Sequence, residues 1–294
     1  MNKDVLEEYG IVLENVSLKE YNSYGIGGTT RFLLKVDSVS LLVKLINYLT
    51  KSNELYFILG DGTNIILPDN DFSGVIIKLD KLNNYEIINN TVDVECGIKL
   101  NFLIRNLIKN GFTNMSSLAG IPGSLGGAIV GNAGSFGSSI MDFVSSVTIL
   151  EDNEVKKISK EDIKYGYRTT EFKNSNVVVL SCILNLEKGD VEESLNLIKE
   201  NNEKRINTQP LDYKNAGSVF KNPEGFSAGS LIDKLGLKGF TIGGAMVSEK
   251  HANFIINYNN ATSSDIINLI NHIKKLVKKE YNIDLELEQK IINW

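Results

Sequence analysis

The sequence contains very little cysteine and histidine, with two residues of each among 294. Cys96 and Cys182 lie in apolar alternating segments and have neither CxxC spacing nor a histidine at ligand spacing. This pattern indicates neither a structural zinc site nor a disulfide framework. We therefore expect two reduced thiols in the protein core and no bound metal.

Long apolar runs and an excess of cations are also missing. No 18-residue apolar run occurs, and the first ten residues lack the basic region and apolar stretch of a secretory signal, so we expect a cytoplasmic protein without a membrane span. The chain carries 31 Lys and Arg against 36 Asp and Glu, a formal net charge of −5. This charge argues against a broad nucleic-acid or anionic-membrane surface, and any phosphate recognition should be local.

The length exceeds what one hydrophobic core usually serves, which predicts two domains or one elaborated domain. Short strands alternate with helices in the first half, and a charged, Asn-rich helix at about 190–207 marks the best domain boundary. The predicted strands are 31–36, 56–59, 74–79, 91–96, 146–150, 177–186, 240–247, 253–258 and a strand-like segment at 284–292. The other predicted helices are about 39–49, 99–110, 228–235 and 263–281.

Two glycine-rich segments are candidates for ligand binding. Residues 60–64, GDGTN, follow an apolar strand, where a glycine turn lets backbone N–H groups approach a phosphate. No helix follows this turn, so it does not match the dinucleotide-binding fingerprint. Residues 119–137 contain seven glycines, and Gly123, Gly127 and Gly131 are spaced for one helical face. Tight turns or close packing explain each segment alone, but both together favour a large phosphate-bearing ligand.

Ser218 follows a glycine in NAGSVFKNP, where neither a helix nor a long strand is expected. A triad nucleophile would need a G-x-S-x-G elbow, which is absent, and His272 falls on the polar face of the last predicted helix. His251 remains open as a base. The alternatives are a turn-forming serine and a hydroxyl that protonates a carbanion formed during a reduction.

Six motifs occur in a fixed order: YNSYGIGGTTRF, ILGDGTNIILPDNDFSGVIIKL, GIPGSLGGAIVGNAGSFG, YGYRTTEF, AGSVFKNP and GGAMVSEKHANFIIN. Together they resemble the UDP-N-acetylenolpyruvoylglucosamine reductases over residues 20–292. The resemblance implies an α+β fold. Residues 1–188 would form an FAD-binding region of the vanillyl-alcohol-oxidase (PCMH) type, with two subdomains split near residue 80. Residues 189–294 would form a smaller α+β substrate-binding domain, whose last strand can return to the N-terminal region.

The resemblance also implies a cytoplasmic, monomeric flavoprotein oxidoreductase of peptidoglycan synthesis. NADPH would reduce FAD, and UDP-N-acetylglucosamine enolpyruvate would then take a hydride from flavin N5 at C3 and a proton at C2 to give UDP-N-acetylmuramate. Noncovalent FAD is expected, because some relatives of this flavin fold attach FAD to a histidine of the FAD domain, whereas His251 and His272 are both C-terminal.

Residue roles follow from the same resemblance. Ser218 matches the proton donor, Arg168 the group that stabilises the developing enolate, and Glu288 a carboxylate that assists near the same intermediate. Substrate binding is implied for Tyr167, Lys221 and Asn222. FAD binding is implied for Gly60, Gly62, Thr63, Asn64, Ile121, Pro122, Gly123, Ser124, Asn132 and Gly134.

The chain departs from the family pattern in four places. Thr63 replaces a common serine but keeps the hydroxyl. Thr169-Thr170 replaces the usual Asp-Ser after the arginine, and LELE replaces LEPE, so Glu286 stays an alternative to Glu288. Only 49 residues separate Arg168 from Ser218, which indicates the shorter type without the tyrosine-loop insertion. Two other functions stay open: a flavin oxidase acting on a sugar or alcohol, and a flavin or UDP-sugar sensor without turnover.

Overall fold

The computed structural model describes all 294 residues and divides into two compact units. Unit 1 comprises Met1–Glu14, Phe32–Asp61 and Ser73–Asn202. Unit 2 comprises Asn15–Arg31, Gly62–Phe72 and Glu203–Trp294. Each unit is therefore assembled from three separate stretches of sequence.

The secondary structure alternates short strands with helices. The helices are α1 (Lys3–Glu7), α2 (Val39–Lys51), α3 (Leu100–Lys109), α4 (Leu125–Gly131), α5 (Val191–Thr208), α6 (Ala228–Lys234) and α7 (Ser263–Tyr281). The strands are β1 (Gly10–Ser17), β2 (Thr29–Val36), β3 (Tyr56–Leu59), β4 (Ile65–Ile66), β5 (Phe72–Lys78), β6 (Tyr85–Ile88), β7 (Thr91–Glu95), β8 (Gly134–Ser135), β9 (Ser138–Ser139), β10 (Val144–Glu151), β11 (Glu154–Ser159), β12 (Tyr165–Gly166), β13 (Thr169–Thr170), β14 (Val178–Asn185), β15 (Thr241–Ile242), β16 (Ala245–Val247), β17 (Ile255–Asn257) and β18 (Lys290–Ile291).

Unit 1 contains two main sheets. One has the strand order β1-β2-β5-β3, with β3 and β5 parallel, and the other is antiparallel in the order β11-β10-β14-β7-β6. Helix α2 begins where the Ser38 hydroxyl accepts from the Leu41 N–H, as Ser caps commonly do. It buries Leu42, Leu45, Ile46 and Leu49 in the core of this unit, as the helical spacing predicts.

Unit 2 is built around α7, which packs against the small antiparallel sheet β15-β16-β17. Thr262 and Asp265 form a reciprocal capping box at its start, and those backbone hydrogen bonds lower the pKa of the Asp265 carboxyl. Helix α7 buries Ile266, Ile270 and Ile273 on one face, and both of its ends coincide with the prediction. Strand β18 pairs in parallel with β4.

Three local predictions are wrong. Residues 240–247 are two strands, β15 and β16, because Gly243 has φ +55° and turns the chain. The segment 284–292 contributes only β18 and one isolated bridge between Leu287 and Phe220. Gly123 does not share a helical face with Gly127 and Gly131, because helix α4 begins only at Leu125. The tightest packing along α4 is at Gly126, where a Cβ would lie 3.0 Å from the Cβ of Cys96.

None of the seven α-helices combines the length and apolar composition needed to cross a bilayer.

Candidate active site

The residues implied as functional lie in both units, and each group is described within its own unit. Unit 1 contains Gly60, Ile121, Pro122, Gly123, Ser124, Asn132, Gly134, Tyr167 and Arg168. Unit 2 contains Gly62, Thr63, Asn64, Ser218, Lys221, Asn222 and Glu288.

In unit 1 the two glycine-rich segments meet at Gly60 and Ser124. A Cβ on Gly60 would lie 3.0 Å from the Ser124 Oγ, so a side chain at position 60 would need Ser124 to move. Ser124 also caps α4, because its Oγ accepts from the Gly127 N–H. The two glycine-rich segments are therefore neighbours here, and the missing side chain at Gly60 fits the close approach of a cofactor phosphate or ring.

Lys78 contacts Gly60 and was not found by sequence reasoning. Its side chain is only 6% exposed, and its Nζ donates to the carbonyl oxygen of Gly60. Burial lowers the pKa of Lys78, while the charge of Asp61 opposes that shift. In the sequence Lys78 is a single polar position in an apolar strand, and nothing local indicates that it is buried.

Arg168 occupies a strained backbone position in unit 1. Strands β12 and β13 are joined by the two residues Tyr167 and Arg168, and Arg168 has φ +58°, in the left-handed region that favours glycine. Its guanidinium lies 5.2 Å from the centre of the Tyr167 ring, which is itself 55% exposed. Strained residues of this kind are common at functional sites, where the surrounding structure holds them in place.

The hairpin that carries Arg168 is fastened to the C-terminal end of α4. The buried Asn132 donates through Nδ2 to the Gly166 carbonyl at 2.8 Å and accepts through Oδ1 from the Met141 N–H. The Thr170 hydroxyl donates to the Val130 carbonyl at 2.9 Å. The Asn132 side chain is therefore engaged with the protein, and Thr170 has an anchoring role. Helix α4, about 10 Å long, connects the Ser124 cap to the Arg168 hairpin.

In unit 2 the second half of the GDGTN loop is tied to the end of the chain. Gly62 has φ +66°, and a Cβ there would lie 2.4 Å from the Tyr21 carbonyl oxygen, so only glycine fits. The Asn64 side chain donates to the Glu288 carbonyl at 3.2 Å, and the Lys290 N–H donates to the Asn64 carbonyl at 3.0 Å.

Ser218 and Glu288 lie on neighbouring antiparallel segments of unit 2. The Glu288 N–H donates to the Val219 carbonyl, and the Lys221 N–H donates to the Glu286 carbonyl, both at 2.9 Å. The Ser218 side chain is half-buried, and its hydroxyl makes no hydrogen bond to another group of unit 2.

Neither histidine is placed as a base for Ser218 within unit 2. The His251 Nδ1 accepts from the Asn253 N–H, and burial lowers the pKa of its imidazole. The His272 ring stacks on Phe240 with 4.7 Å between ring centres. This arrangement does not form a catalytic triad around Ser218.

The other predicted substrate ligands of unit 2 already have protein partners. The Lys221 Nζ lies 2.5 Å from Oε1 of the exposed Glu286, and the Asn222 Oδ1 accepts from the Ala228 N–H at the start of α6. Two further buried amides, Gln289 and Asn253, hold the Ser218 loop and were not found by sequence reasoning.

Comparison with known proteins agrees with this architecture. Residues 30–157 match an FAD binding domain, and residues 209–292 match the C-terminal domain of UDP-N-acetylenolpyruvoylglucosamine reductase. The reductase of Caldanaerobacter subterraneus is 40% identical over 99% of this chain and 96% of its own length. The reductase of Carboxydothermus hydrogenoformans is 42% identical over 96% of this chain and 94% of its own length.

A solved structure is similar over almost the whole chain. The crystal structure of the UDP-N-acetylenolpyruvylglucosamine reductase of Thermus caldophilus superposes with a TM-score of 0.81 and 31% identity, covering 95% of this chain and 98% of that one. The α+β fold with an FAD-binding region is therefore confirmed. These likenesses show that the chain is an FAD-dependent oxidoreductase that belongs to the UDP-N-acetylenolpyruvoylglucosamine reductase family.

Proposed function

We propose that this protein reduces UDP-N-acetylglucosamine enolpyruvate to UDP-N-acetylmuramate for peptidoglycan synthesis, with NADPH as the reductant. The observation that carries the proposal is the pairing of the Ser218 segment with the Glu288 segment. This pairing brings the segment of Ser218, whose hydroxyl has no histidine base in unit 2, next to the segment that carries the Glu288 carboxylate. An unsaturated acid that accepts a hydride needs a proton on the adjacent carbon. A neutral hydroxyl at the right distance can supply that proton without a triad.

FAD fits the chemistry of the glycine-rich segments of this chain. The residues assigned to it are Gly60, Gly62, Thr63, Asn64, Ile121, Pro122, Gly123, Ser124, Asn132 and Gly134. Bound FAD, held without a covalent link, supplies hydride transfer from NADPH to C3 of the enolpyruvyl group. The absence of a Cβ at Gly60 and Gly62 leaves the loop backbone free to approach the diphosphate.

Arg168 is assigned to the substrate carboxylate. Hydride addition at C3 places negative charge on the carboxylate side, and a fixed guanidinium stabilises that charge through two parallel hydrogen bonds. The α4 anchors described above hold the Arg168 hairpin before substrate arrives, so little reorganisation is needed as charge develops. Tyr167, the exposed residue beside it, is assigned to substrate contact.

Glu288 is preferred to Glu286 as the assisting carboxylate. Glu286 is largely exposed and paired with Lys221, whereas Glu288 is half-buried and its backbone bonds to both Val219 and Asn64. Lys221 and Asn222 are assigned to the diphosphate or sugar of the substrate. A substrate phosphate can replace the exposed Glu286 carboxylate as the partner of Lys221, because exposed ion pairs contribute little to stability.

The test is a visible spectrum of the purified protein, followed anaerobically by NADPH and then by UDP-N-acetylglucosamine enolpyruvate. We expect flavin colour that bleaches with NADPH and returns with the enolpyruvyl substrate. Flavin that bleaches but recovers only with oxygen would support an oxidase instead. A protein that takes up no FAD would overturn the proposal.

Ser218→Ala separates catalysis from binding. We expect it to keep FAD, its reduction by NADPH and substrate binding, and to slow flavin reoxidation by substrate at least about a hundredfold. The exposed Ser230→Ala is the matched control and should change neither half-reaction. Normal turnover of Ser218→Ala would remove Ser218 from the mechanism and would favour another proton source.

A further inference from the structure

The backbone on the N-terminal side of Ser218 is held by one buried side chain. Gln289 is only 3% exposed, and its Nε2 donates to the carbonyl oxygens of Ala216 at 3.0 Å and Gly217 at 3.1 Å. These are the two peptide groups that lead into Ser218. Both N–H groups of the Gln289 amide therefore donate to the same turn.

The orientation of that amide is set by Tyr24. The Tyr24 side chain is fully buried, and its hydroxyl lies 3.0 Å from the Gln289 Oε1, to which it donates. Tyr24 is itself fixed, because its carbonyl accepts from the Asn257 side chain at 2.8 Å. With Oε1 on the Tyr24 hydroxyl, Nε2 faces the loop, and a flip of the amide would set Oε1 against two carbonyl oxygens and lose both of those hydrogen bonds.

Gln289 shares this turn with one other side chain, because the Gly217 N–H donates to the Asn215 Oδ1 at 3.0 Å. Gly217 has φ +76°, and a Cβ at this position would meet no atom within 4 Å, so no packing acts on the turn at Gly217 itself. The Gly217 carbonyl belongs to the same planar peptide group as the Ser218 N–H. Fixing that carbonyl fixes the peptide plane before Ser218, and the Val219 N–H, which donates to the Asn253 carbonyl at 2.9 Å, fixes the plane after it. The two planes together set the direction in which the Ser218 side chain leaves the backbone.

We propose that Gln289, oriented by Tyr24, is a positioning residue that aims the Ser218 hydroxyl at the substrate carbon to be protonated. This inference rests on the proposed role of Ser218 as proton donor. The Gln289 side chain bonds only to Tyr24 and to the loop, so it acts through Ser218 and contributes nothing to flavin reduction by NADPH. Catalysis is sensitive to such placement, because a shift of about 1 Å in a reacting group can cost a hundredfold in rate.

The experiment measures both half-reactions of the FAD-loaded protein by anaerobic stopped flow. Gln289→Met keeps the side-chain volume and removes the hydrogen bonds, and Tyr24→Phe removes only the hydroxyl that orients the amide. For both variants we expect reduction by NADPH within about twofold of the parent and reoxidation by the enolpyruvyl substrate slowed roughly tenfold or more. The solvent deuterium isotope effect on reoxidation should rise, because proton transfer becomes more rate-limiting.

The Ser218→Ala background shows whether the effect passes through Ser218. Adding Gln289→Met to Ser218→Ala should cause no further loss in reoxidation rate, whereas two independent effects would multiply. Ile270→Val is the matched control, since it loosens the core of unit 2 and removes no hydrogen bond of Gln289 or Tyr24, and it should leave both half-reactions unchanged.

Each remaining outcome decides between the positioning role and its alternatives. Equal slowing of both half-reactions, or an undiminished Gln289→Met effect in Ser218→Ala, would overturn the positioning role and leave Gln289 a structural residue. Normal reoxidation in Tyr24→Phe and Gln289→Met, with Ser218→Ala slow, would overturn the inference but not the proposed function. Normal reoxidation in Ser218→Ala would overturn the proposed donor itself. If Gln289→Met fails to fold, Tyr24→Phe carries the test.

Discussion

Gly134 lies directly against the guanidinium group of Arg168. A Cβ on Gly134 would lie 2.7 Å from the Arg168 Nη1 and 2.6 Å from the Ser138 carbonyl oxygen, both closer than real Cβ contacts. The absence of a side chain at position 134 therefore leaves room for the guanidinium. Sequence reasoning assigned Gly134 to FAD, and the structure adds this contact with the arginine.

Gly134→Ala should displace Arg168 and slow the step in which charge develops on the substrate. We expect a loss of about 1–3 kcal/mol in the free energy of unfolding, as for other overpacked positions. Reoxidation of reduced flavin by substrate should slow much more than flavin reduction by NADPH. Gly131→Ala is the control for stability, because its Cβ would meet no atom within 4 Å and alanine favours a helix. A Gly134→Ala protein with parental rates would show that the guanidinium has no fixed place.

Arg168→Gly should abolish turnover without destabilising the protein. The left-handed backbone at Arg168 costs a non-glycine residue about 1 kcal/mol or more, and glycine removes that cost. We expect thermal unfolding at the parental temperature or above, together with loss of flavin reoxidation by substrate. Asp152→Gly, at φ +49° in the turn between β10 and β11, should relieve similar strain and leave activity unchanged. A clear drop in the unfolding temperature of Arg168→Gly would mean that Arg168 is chiefly structural.

Lys78→Met should weaken FAD binding. The buried ammonium bonds to the Gly60 carbonyl, and its loss removes both a hydrogen bond and a positive charge from the loop that we propose holds the diphosphate. We expect the dissociation constant of FAD for the apoprotein, measured by flavin fluorescence, to rise about tenfold, which is 1.4 kcal/mol. The exposed Lys81→Met should leave this constant unchanged.

Burial of Lys78 also predicts a pH dependence. Its pKa is lowered from 10.5, so between the lowered value and 10.5 the unfolded chain binds a proton that the folded chain has lost. Over this window the Lys78 contribution to folding stability rises with pH, whereas FAD affinity falls as the cation is lost. Both trends should disappear in Lys78→Met. Identical alkaline profiles in parent and variant would contradict the assignment.

Both cysteines should be unreactive in the folded protein. Burial raises the pKa of Cys96 to about 12 and raises that of Cys182 well above its usual value, and only the thiolate is nucleophilic. Iodoacetamide at pH 8 should leave the native protein unmodified and alkylate both thiols in urea, as mass spectrometry would show. Alkylation of the native protein at the rate of an exposed thiol would place a cysteine at the surface.

Local sequence patterns predicted the secondary structure where the signal was strong. Strand β3 and helix α7 have the predicted bounds, because an apolar run ending at glycine and a capping box are signals contained within a few residues. The predicted strand at 240–247 was wrong because apolar residues on both sides of Gly243-Gly244 favour a strand, and the glycine pair was included in it. The turn depends on φ +55° at Gly243, which composition does not show.

The site was predicted in part. The motifs named Ser218, Arg168 and the glycine loops, and their catalytic and binding roles stay predictions. Lys78, Gln289 and Asn253 were missed because each is one polar residue in an apolar or mixed segment. Their importance comes from burial and from the partners that they meet.

The sequence by itself determined the family, the flavin cofactor, most helices and part of the strands, because ordered motifs and short-range periodicity are properties of neighbouring residues. The sequence allowed the last strand to return to the N-terminal region. Only the tertiary structure decided that its partner is β4, that each unit is assembled from three stretches, and that Tyr24 bonds to Gln289 across 265 residues. The physical reason is that a hydrogen bond between distant segments depends on the path of the whole chain. Local propensity carries no information about that path.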